Sequence, residues 1–187
     1  QRQRIREKYR LQNDDILLLY TGKINASKSV GTLMKAFNQL NSGRCVYLLL
    51  LSKGSEACRN SLVNALDRDK RKSVIFSDFV PNNQLPQYYS ASDICVWGDT
   101  ISVSMIEAMS CSRPIVGCNI PPFSERIEYG NGLCYKLGDE RDMAEKLQRL
   151  INDPELRLKM GQRGREFVED QLSWRRISER FLEVGKE

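Results

Sequence analysis

Six short apolar runs, separated by segments with helical spacing, dominate the sequence. The runs span residues 16–20, 46–51, 74–76, 93–97, 114–117 and 133–135. Continuous apolar runs predict strands buried on both faces, as in a parallel sheet. The other segments predict helices at residues 30–40, 55–66, 81–89, 102–111, 140–151, 154–169 and 173–183. We therefore expect one α/β domain over residues 1–187, a Rossmann-like doubly wound parallel sheet with helices on both faces.

The chain contains no histidine among its 187 residues. A Ser-His-Asp triad, a Cys-His pair and a histidine-ligated zinc are therefore excluded within it. Its 41% hydrophobic and 28% charged residues are an ordinary globular mixture, which excludes a disordered chain. No apolar run approaches the ~18–20 residues that span a bilayer. The sequence opens on Gln1-Arg2 without an initiator methionine or a signal peptide, so we expect a piece of a larger protein.

The six cysteines contain no C-x-x-C pair. Cys45 and Cys95 lie in or beside apolar runs, where a free cysteine behaves as a small hydrophobic residue. We therefore expect buried, reduced thiols and a cytoplasmic protein. A thiol nucleophile is disfavoured, because no histidine is available to activate one.

The basic excess behind the net charge of +5 is concentrated in residues 2–10 and 159–180. Both stretches have the pattern of amphipathic helices, in which charged residues usually cover a solvated face. No basic patch is interleaved with aromatic residues and no nucleic-acid motif occurs, which disfavours a nucleic-acid partner. Peripheral contact with an acidic membrane surface, on the cytoplasmic face, stays open as an alternative.

Ligands of a doubly wound sheet bind at the carboxyl ends of the strands, near the point where the strand order reverses. After the first predicted strand come Gly22 and Lys23, and Lys28 follows at the start of a helix. A glycine lets the backbone approach a ligand, and two lysines beside a helix N-terminus can bind an anion. Taken alone, this loop is better interpreted as a turn glycine with two solvated lysines.

Two carboxylates follow the fourth predicted strand, Asp99 in the loop and Glu107 in the next helix, with seven residues between them. Helical side chains lean toward the N-terminus of their helix, so the Glu107 carboxylate can reach the same ligand site as Asp99, at the carboxyl ends of the strands. The helix N-terminus between them offers N–H groups to a phosphate. Because apolar residues flank Glu107, its carboxylate should have a partner. Two alternatives stay open, Asp99 as an N-cap and Glu107 in a capping box with Ser104.

The segment from Asp99 through Glu107-Ala108-Met109 to Pro114-Ile115-Val116 resembles the nucleotide-sugar site of glycosyltransferase family 4. The family pattern there is a glutamate, the same spacing, Glu-Ala-Met, a small-residue turn, a proline and a strand. Further matches, in family order, are Gly22-Lys23…Lys28, Phe79-Val80-Pro81…Leu85…Tyr88-Tyr89…Ala91-Ser92-Asp93, Glu125…Gly130-Asn131-Gly132 and Trp174. The resemblance covers essentially the whole chain. It implies the C-terminal, donor-binding domain of a two-domain enzyme with the GT-B architecture, whose own N-terminal acceptor domain is absent from this chain and would be its partner.

The resemblance also implies roles for individual residues. Lys23 and Lys28 would neutralise the diphosphate leaving group, and Asp99 would contact hydroxyl groups of the donor sugar. Glu107 would hold the ribose hydroxyls, and the backbone around Val80 would meet the nucleobase. The other donor-binding positions would be Gly22, Thr100, Ile101, Ser102, Val103 and Glu125, and a surface carboxylate is the alternative for the last of them.

The implied reaction moves a sugar, with retention at the anomeric carbon, from a nucleotide diphosphate sugar to a glycan, a lipid or another acceptor. The donor would be UDP- or GDP-linked, and the acceptor can be lipid-linked at the membrane surface. No cofactor or metal is expected, because lysines and a helix N-terminus can stabilise the leaving group. Asp67-Arg68-Asp69 matches an Asp-x-Asp metal motif, yet we interpret it as a solvated helix end. This chain alone would bind the donor without turnover.

Several positions depart from the family pattern. Asp99 replaces the usual glutamate, and Lys23 replaces an arginine and so loses its bidentate fork. Residues 100–102 lack the common glycines, Ser29 replaces a glycine, and Pro121-Pro122 stand where two glycines are usual. A catalytically lapsed nucleotide-sugar-binding or interaction module is therefore the alternative function. A dinucleotide-binding Rossmann domain is disfavoured, because no G-x-G-x-x-G follows the first strand.

Overall fold

The apolar runs form the strands of a single parallel sheet. The computed structural model describes residues 1–24, 28–98, 102–121, 123–127 and 129–184. In these residues the strands are β1 Ile16–Thr21, β2 Val46–Leu51, β3 Val74–Ser77, β4 Ile94–Val96, β5 Ile115–Cys118 and β6 Gly132–Tyr135. They are all parallel and lie in the order β3-β2-β1-β4-β5-β6. The predicted doubly wound fold is confirmed.

Helices connect the strands and close the chain. They are α1 Arg2–Lys8, α2 Lys28–Gln39, α3 Glu56–Asn64, α4 Arg68–Arg71, α5 Leu85–Ala91, α6 Val103–Ser110, α7 Phe123–Arg126, α8 Glu140–Asn152, α9 Pro154–Phe167 and α10 Trp174–Val184. The sequence did not predict α4 and α7, because helices this short show no hydrophobic period. The helix predicted at residues 154–169 leaves the α conformation after Phe167 and continues as the π-helical turn Val168–Leu172. None of the described helices has the length and apolar character needed to cross a membrane.

The central strands β1, β4 and β5 are buried on both faces, as the continuous apolar runs predicted, whereas the edge strand β3 is half-buried. Leu18 belongs to an apolar cluster with residues of α2 and α8. Its neighbours Leu17 and Leu19 belong to the opposite cluster, with residues of α5 and α6. Because successive side chains of a strand point to opposite faces, a strand between two helical layers is apolar at every position.

The basic N-terminal helix departs from the expected solvated arrangement, because Arg6 on α1 is only 2% exposed. Its Nη1 lies 3.3 Å from Asp93 Oδ2, and Arg2 Nη2 lies 2.7 Å from Asp93 Oδ1. Asp93 also accepts a hydrogen bond from the backbone N–H of Leu17 at 2.8 Å. The expectation of a purely solvated basic face is therefore wrong for this helix. The ion pairs attach α1 to the amino ends of β1 and β4, opposite the expected ligand site.

The structure contains no disulfide between any of the six cysteines, all of which lie in the described residues. Cys95 and Cys118 are buried, but Cys45 is exposed, contrary to its expected burial beside an apolar run. Cys45 comes directly before β2, where the chain enters the sheet from a surface turn. Burial raises the pKa of Cys95 to about 12 and that of Cys134 to about 11.

Thiol titration should therefore distinguish the cysteines by how fast their thiols react. In denaturant without reductant, all six thiols should react with a disulfide reagent. In the native protein near neutral pH, Cys45 should react first and Cys95 last, because only an accessible thiolate attacks the reagent. The control Cys45→Ser should lose the fast phase and keep the slow one. A denatured titre short by two thiols would contradict the absence of disulfides.

Candidate functional site

A crevice opens at the carboxyl ends of the strands, where the order reverses between β1 and β4. It contains a cavity of about 450 Å³ lined mainly by apolar groups. Its lining residues come from the ends of β1 and β2, the segment after β3 and the start of α6: Thr21, Gly22, Leu51, Phe79, Val80, Asn82, Leu85, Ser102 and Ser104. A larger cavity of about 570 Å³ lies beside Tyr129 and the end of α9, and no residue directly after a strand lines it. The first cavity is the candidate ligand site.

The end of β1 supplies the glycine that the sequence predicted for this site. A Cβ added to Gly22 would lie 3.0 Å from the hydroxyl oxygen of Tyr20, so a side chain here would crowd Tyr20. Lys23 follows on the surface, and its carbonyl oxygen accepts a hydrogen bond from the Tyr20 hydroxyl at 3.2 Å. Lys28 is the first residue of α2, and its side chain lies outside the described part of the chain.

The first turn of α6 closes the other side of the crevice. Ser102 is the N-cap, and its Oγ accepts a hydrogen bond from the N–H of Ser104 at 3.3 Å. The N–H of Ser102 in turn donates to Met105 Sδ at 3.4 Å. Both capping alternatives are therefore wrong, since Ser102 occupies the place considered for Asp99 and Met105 the place considered for Glu107. Asp99, Thr100 and Ile101 themselves lie outside the described residues.

Glu107 lies in the second turn of α6 and has the partner that its apolar neighbours require. Tyr89 Oη donates a hydrogen bond to Glu107 Oε2 at 3.1 Å, and the same Oη lies 3.4 Å from Thr21 Oγ1. Burial raises the pKa of Tyr89 strongly, and the nearby Glu107 carboxylate adds to the rise. The phenol therefore stays protonated and able to donate at neutral pH.

A second buried aromatic residue, Trp97, connects the same two elements. Trp97 Nε1 donates to the carbonyl oxygen of Thr21 at 3.2 Å and to Ser104 Oγ at 3.1 Å. Thr21 and α6 are thus connected twice, once through Tyr89 and once through Trp97.

The sequence predicted some of the residues at this site and missed others. It placed Gly22, Val80 and Ser102, which all line the cavity. Val103 and Glu125 are exposed, on α6 and α7 respectively, and neither lines it. The missed residues are Thr21, Leu51, Phe79, Asn82, Leu85, Tyr89, Trp97 and Ser104. The available signal was that Thr21 and Leu51 end strands, that Trp97 follows one, and that the others except Ser104 lie in the matched segment 79–93.

A metal site is not present within the part of the chain that the structure describes, where no three His, Cys, Asp or Glu side chains group closely enough to hold an ion. Asp67 of the Asp-x-Asp match begins α4, and its Oδ2 accepts a hydrogen bond from the amide of Asn38 at 3.1 Å. This motif forms the N-cap and first turn of α4, not the helix end that the sequence predicted, and it does not line the crevice.

Comparison with known proteins places this architecture in a family. The model of "Glycosyl transferases group 1" matches residues 1–167. N-acetyl-alpha-D-glucosaminyl L-malate synthase of Bacillus anthracis is 25% identical over 95% of the chain and 47% of its own length. Capsular polysaccharide biosynthesis glycosyltransferase CapM of Staphylococcus aureus is 28% identical over 91% of the chain and 46% of its own length.

Solved structures share the fold. HepE of Anabaena, in complex with UDP-glucose, matches with a TM-score of 0.84 at 18% identity, over 99% of this chain and 52% of that one. The chain thus spans about half the length of the proteins it matches. The family model covers most of the sequence, the sheet has the architecture of these glycosyltransferases, and the motif resemblance indicated the same group. The chain belongs to the group 1 glycosyl transferases.

Proposed function

We propose that this chain is the donor-binding domain of a glycosyltransferase that uses a nucleotide diphosphate sugar. One observation carries the proposal. Gly22 and the N-terminus of α6 line one cavity, and in the next turn of α6 the carboxylate of Glu107 accepts a hydrogen bond from the buried Tyr89 phenol. The complex of HepE with UDP-glucose, on the same fold, supports this kind of ligand.

In this proposal, different residues of the site bind the ribose, the nucleobase, the diphosphate and the sugar of the donor. Glu107 accepts hydrogen bonds from the ribose hydroxyls, and the apolar wall at Phe79 and Val80 takes the nucleobase. Lys23 and Lys28 neutralise the diphosphate, and the N–H groups of α6 assist them, since a helix N-terminus favours anions. Asp99 contacts the sugar. Positive charge and backbone dipoles stabilise the departing diphosphate without a metal ion. Retention at the anomeric carbon is proposed on the family resemblance.

We further propose that the remaining half of the enzyme binds the acceptor and packs against α10. Two large apolar side chains of this helix, Trp174 and Phe181, are 87% and 75% exposed. Exposed apolar residues grouped on one helix indicate a surface that another domain covers. The chain spans about half the length of its relatives, so the other half of such a protein is a natural partner. The acceptor, a glycan, a lipid or another molecule, would meet the donor between the two halves in the cytoplasm.

The test is a thermal-shift panel of UDP-, GDP- and ADP-sugars on this chain, each measured in EDTA and in magnesium. At about 100 times its Kd, the matching donor should raise the free energy of unfolding by about 2.7 kcal/mol. The rise should be the same in both buffers, because the proposed site contains no metal. Sugar 1-phosphates, which lack the nucleoside, are the control ligands and should give much smaller shifts. If no nucleotide sugar stabilises the chain, the proposal fails.

A further inference from the structure

We propose that Tyr89 is a positioning residue, which orients the carboxylate of Glu107 toward the ribose of the donor. The inference rests on the proposed function and extends it to a residue outside the cavity lining. Tyr89 lies on α5 and is fully buried, so its hydroxyl is enclosed by protein. It reaches two site residues that belong to different elements, Thr21 at the end of β1 and Glu107 on α6.

Chemistry assigns a direction to these hydrogen bonds. An ionised carboxylate can only accept, so the single proton of the Tyr89 hydroxyl is donated to Glu107 Oε2 at 3.1 Å. Thr21 Oγ1, at 3.4 Å, is then the donor to the lone pair of Tyr89 Oη. The order of donation is Thr21 to Tyr89 to Glu107. The phenol thereby receives one hydrogen bond and gives one, both within the site.

The hydrogen bond from Tyr89 restricts the orientation of the Glu107 carboxylate. One oxygen, Oε2, is held by Tyr89, and the proposal assigns Oε1 to the ligand. A carboxylate already oriented for two neighbouring hydroxyl groups loses less conformational entropy when the ligand binds. Tyr89 therefore acts on the ribose through Glu107 without touching it.

The neighbouring tyrosine provides a contrast. Tyr88 is also buried on α5, but its hydroxyl accepts a hydrogen bond from Lys8 Nζ at 3.0 Å, on the α1 side. The rings of both tyrosines belong to the apolar cluster that α5 and α6 share. Each ring is therefore part of the core, whereas only the hydroxyl of Tyr89 points to the site. Replacement by phenylalanine keeps the ring and removes the hydroxyl, so it separates these two contributions.

The experiment compares two ligands that differ only in the ribose hydroxyls. Calorimetric titration measures the affinities for UDP and 2′,3′-dideoxy-UDP, and for the GDP and ADP pairs. The wild-type chain should prefer the ribose form of the base that it binds. Tyr89→Phe should reduce this preference by about threefold to tenfold, the range of one hydrogen bond. The matched control Tyr88→Phe should leave the preference unchanged.

Each outcome of this experiment either supports or overturns the positioning role of Tyr89. A reduced preference in Tyr89→Phe, with the double variant no worse than Glu107→Gln alone, supports the positioning role. An equal loss of affinity for both ligands would show a merely structural role and overturn the inference. An unchanged preference in folded Tyr89→Phe also overturns it, while leaving the donor site intact. If the wild-type chain binds none of the three nucleoside diphosphates, the proposed function fails first, and the role of Tyr89 fails with it.

Discussion

Asp93→Ala should lower the free energy of unfolding by about 3–5 kcal/mol, the usual cost of removing one partner from a buried ion pair. The Asp93 side chain is 12% exposed and pairs with Arg6, which is 2% exposed. Its removal leaves the Arg6 guanidinium buried without its counter-charge and removes the acceptor of the Leu17 N–H. Chemical denaturation followed by circular dichroism measures the change. The midpoint should fall while the dependence on denaturant stays the same.

The matched control is Asp78→Ala. Asp78 also pairs with an arginine, Arg59, at 2.6 Å, but its side chain is 80% exposed. Exposed pairs contribute about 0–1 kcal/mol, so this variant should unfold nearly like the wild type. If Asp93→Ala lost no more stability than Asp78→Ala, the Asp93 cluster would not hold α1 on the sheet.

Glu107→Gln should weaken nucleotide binding about tenfold to hundredfold, as expected when a charge-assisted hydrogen bond to the ribose is lost. Isothermal titration with the nucleoside diphosphate and with the whole donor should give similar losses, because both ligands carry the ribose. Asp99→Asn should behave differently. Since the proposed partner of Asp99 is the sugar, this variant should lower the affinity for the whole donor and leave the affinity for the nucleoside diphosphate unchanged.

The control for this pair is Glu145→Gln, the same substitution on the exposed face of α8. It should change neither affinity nor stability. Because Ser102 and Met105 form the cap of α6, a loss of affinity in Glu107→Gln cannot arise from a weakened cap. Unchanged nucleotide affinity in a well-folded Glu107→Gln variant would falsify the ribose role.

Part of the site could be predicted from sequence because strand ends are local features. A doubly wound sheet places its ligand where strands end, so Gly22 and Ser102 follow from the strand pattern and the motif together. Tyr89 and Trp97 did not follow, because their roles depend on contacts between distant segments. Tyr89 and Glu107 are 18 residues apart, and Trp97 and Thr21 are 76 apart. No spacing in the sequence pairs these side chains.

The sequence by itself determined the strands and the order of elements, since burial between two helical layers makes every strand position apolar and the pattern visible. Only the tertiary structure decided where the polar groups pair. It buried Arg6 against Asp93, although the amphipathic pattern predicted a solvated charge. It also made Ser102 the N-cap, which freed Glu107 to pair with Tyr89. Apolar burial repeats along the chain, whereas a hydrogen bond needs two particular atoms at one distance, and only the folded chain brings them together.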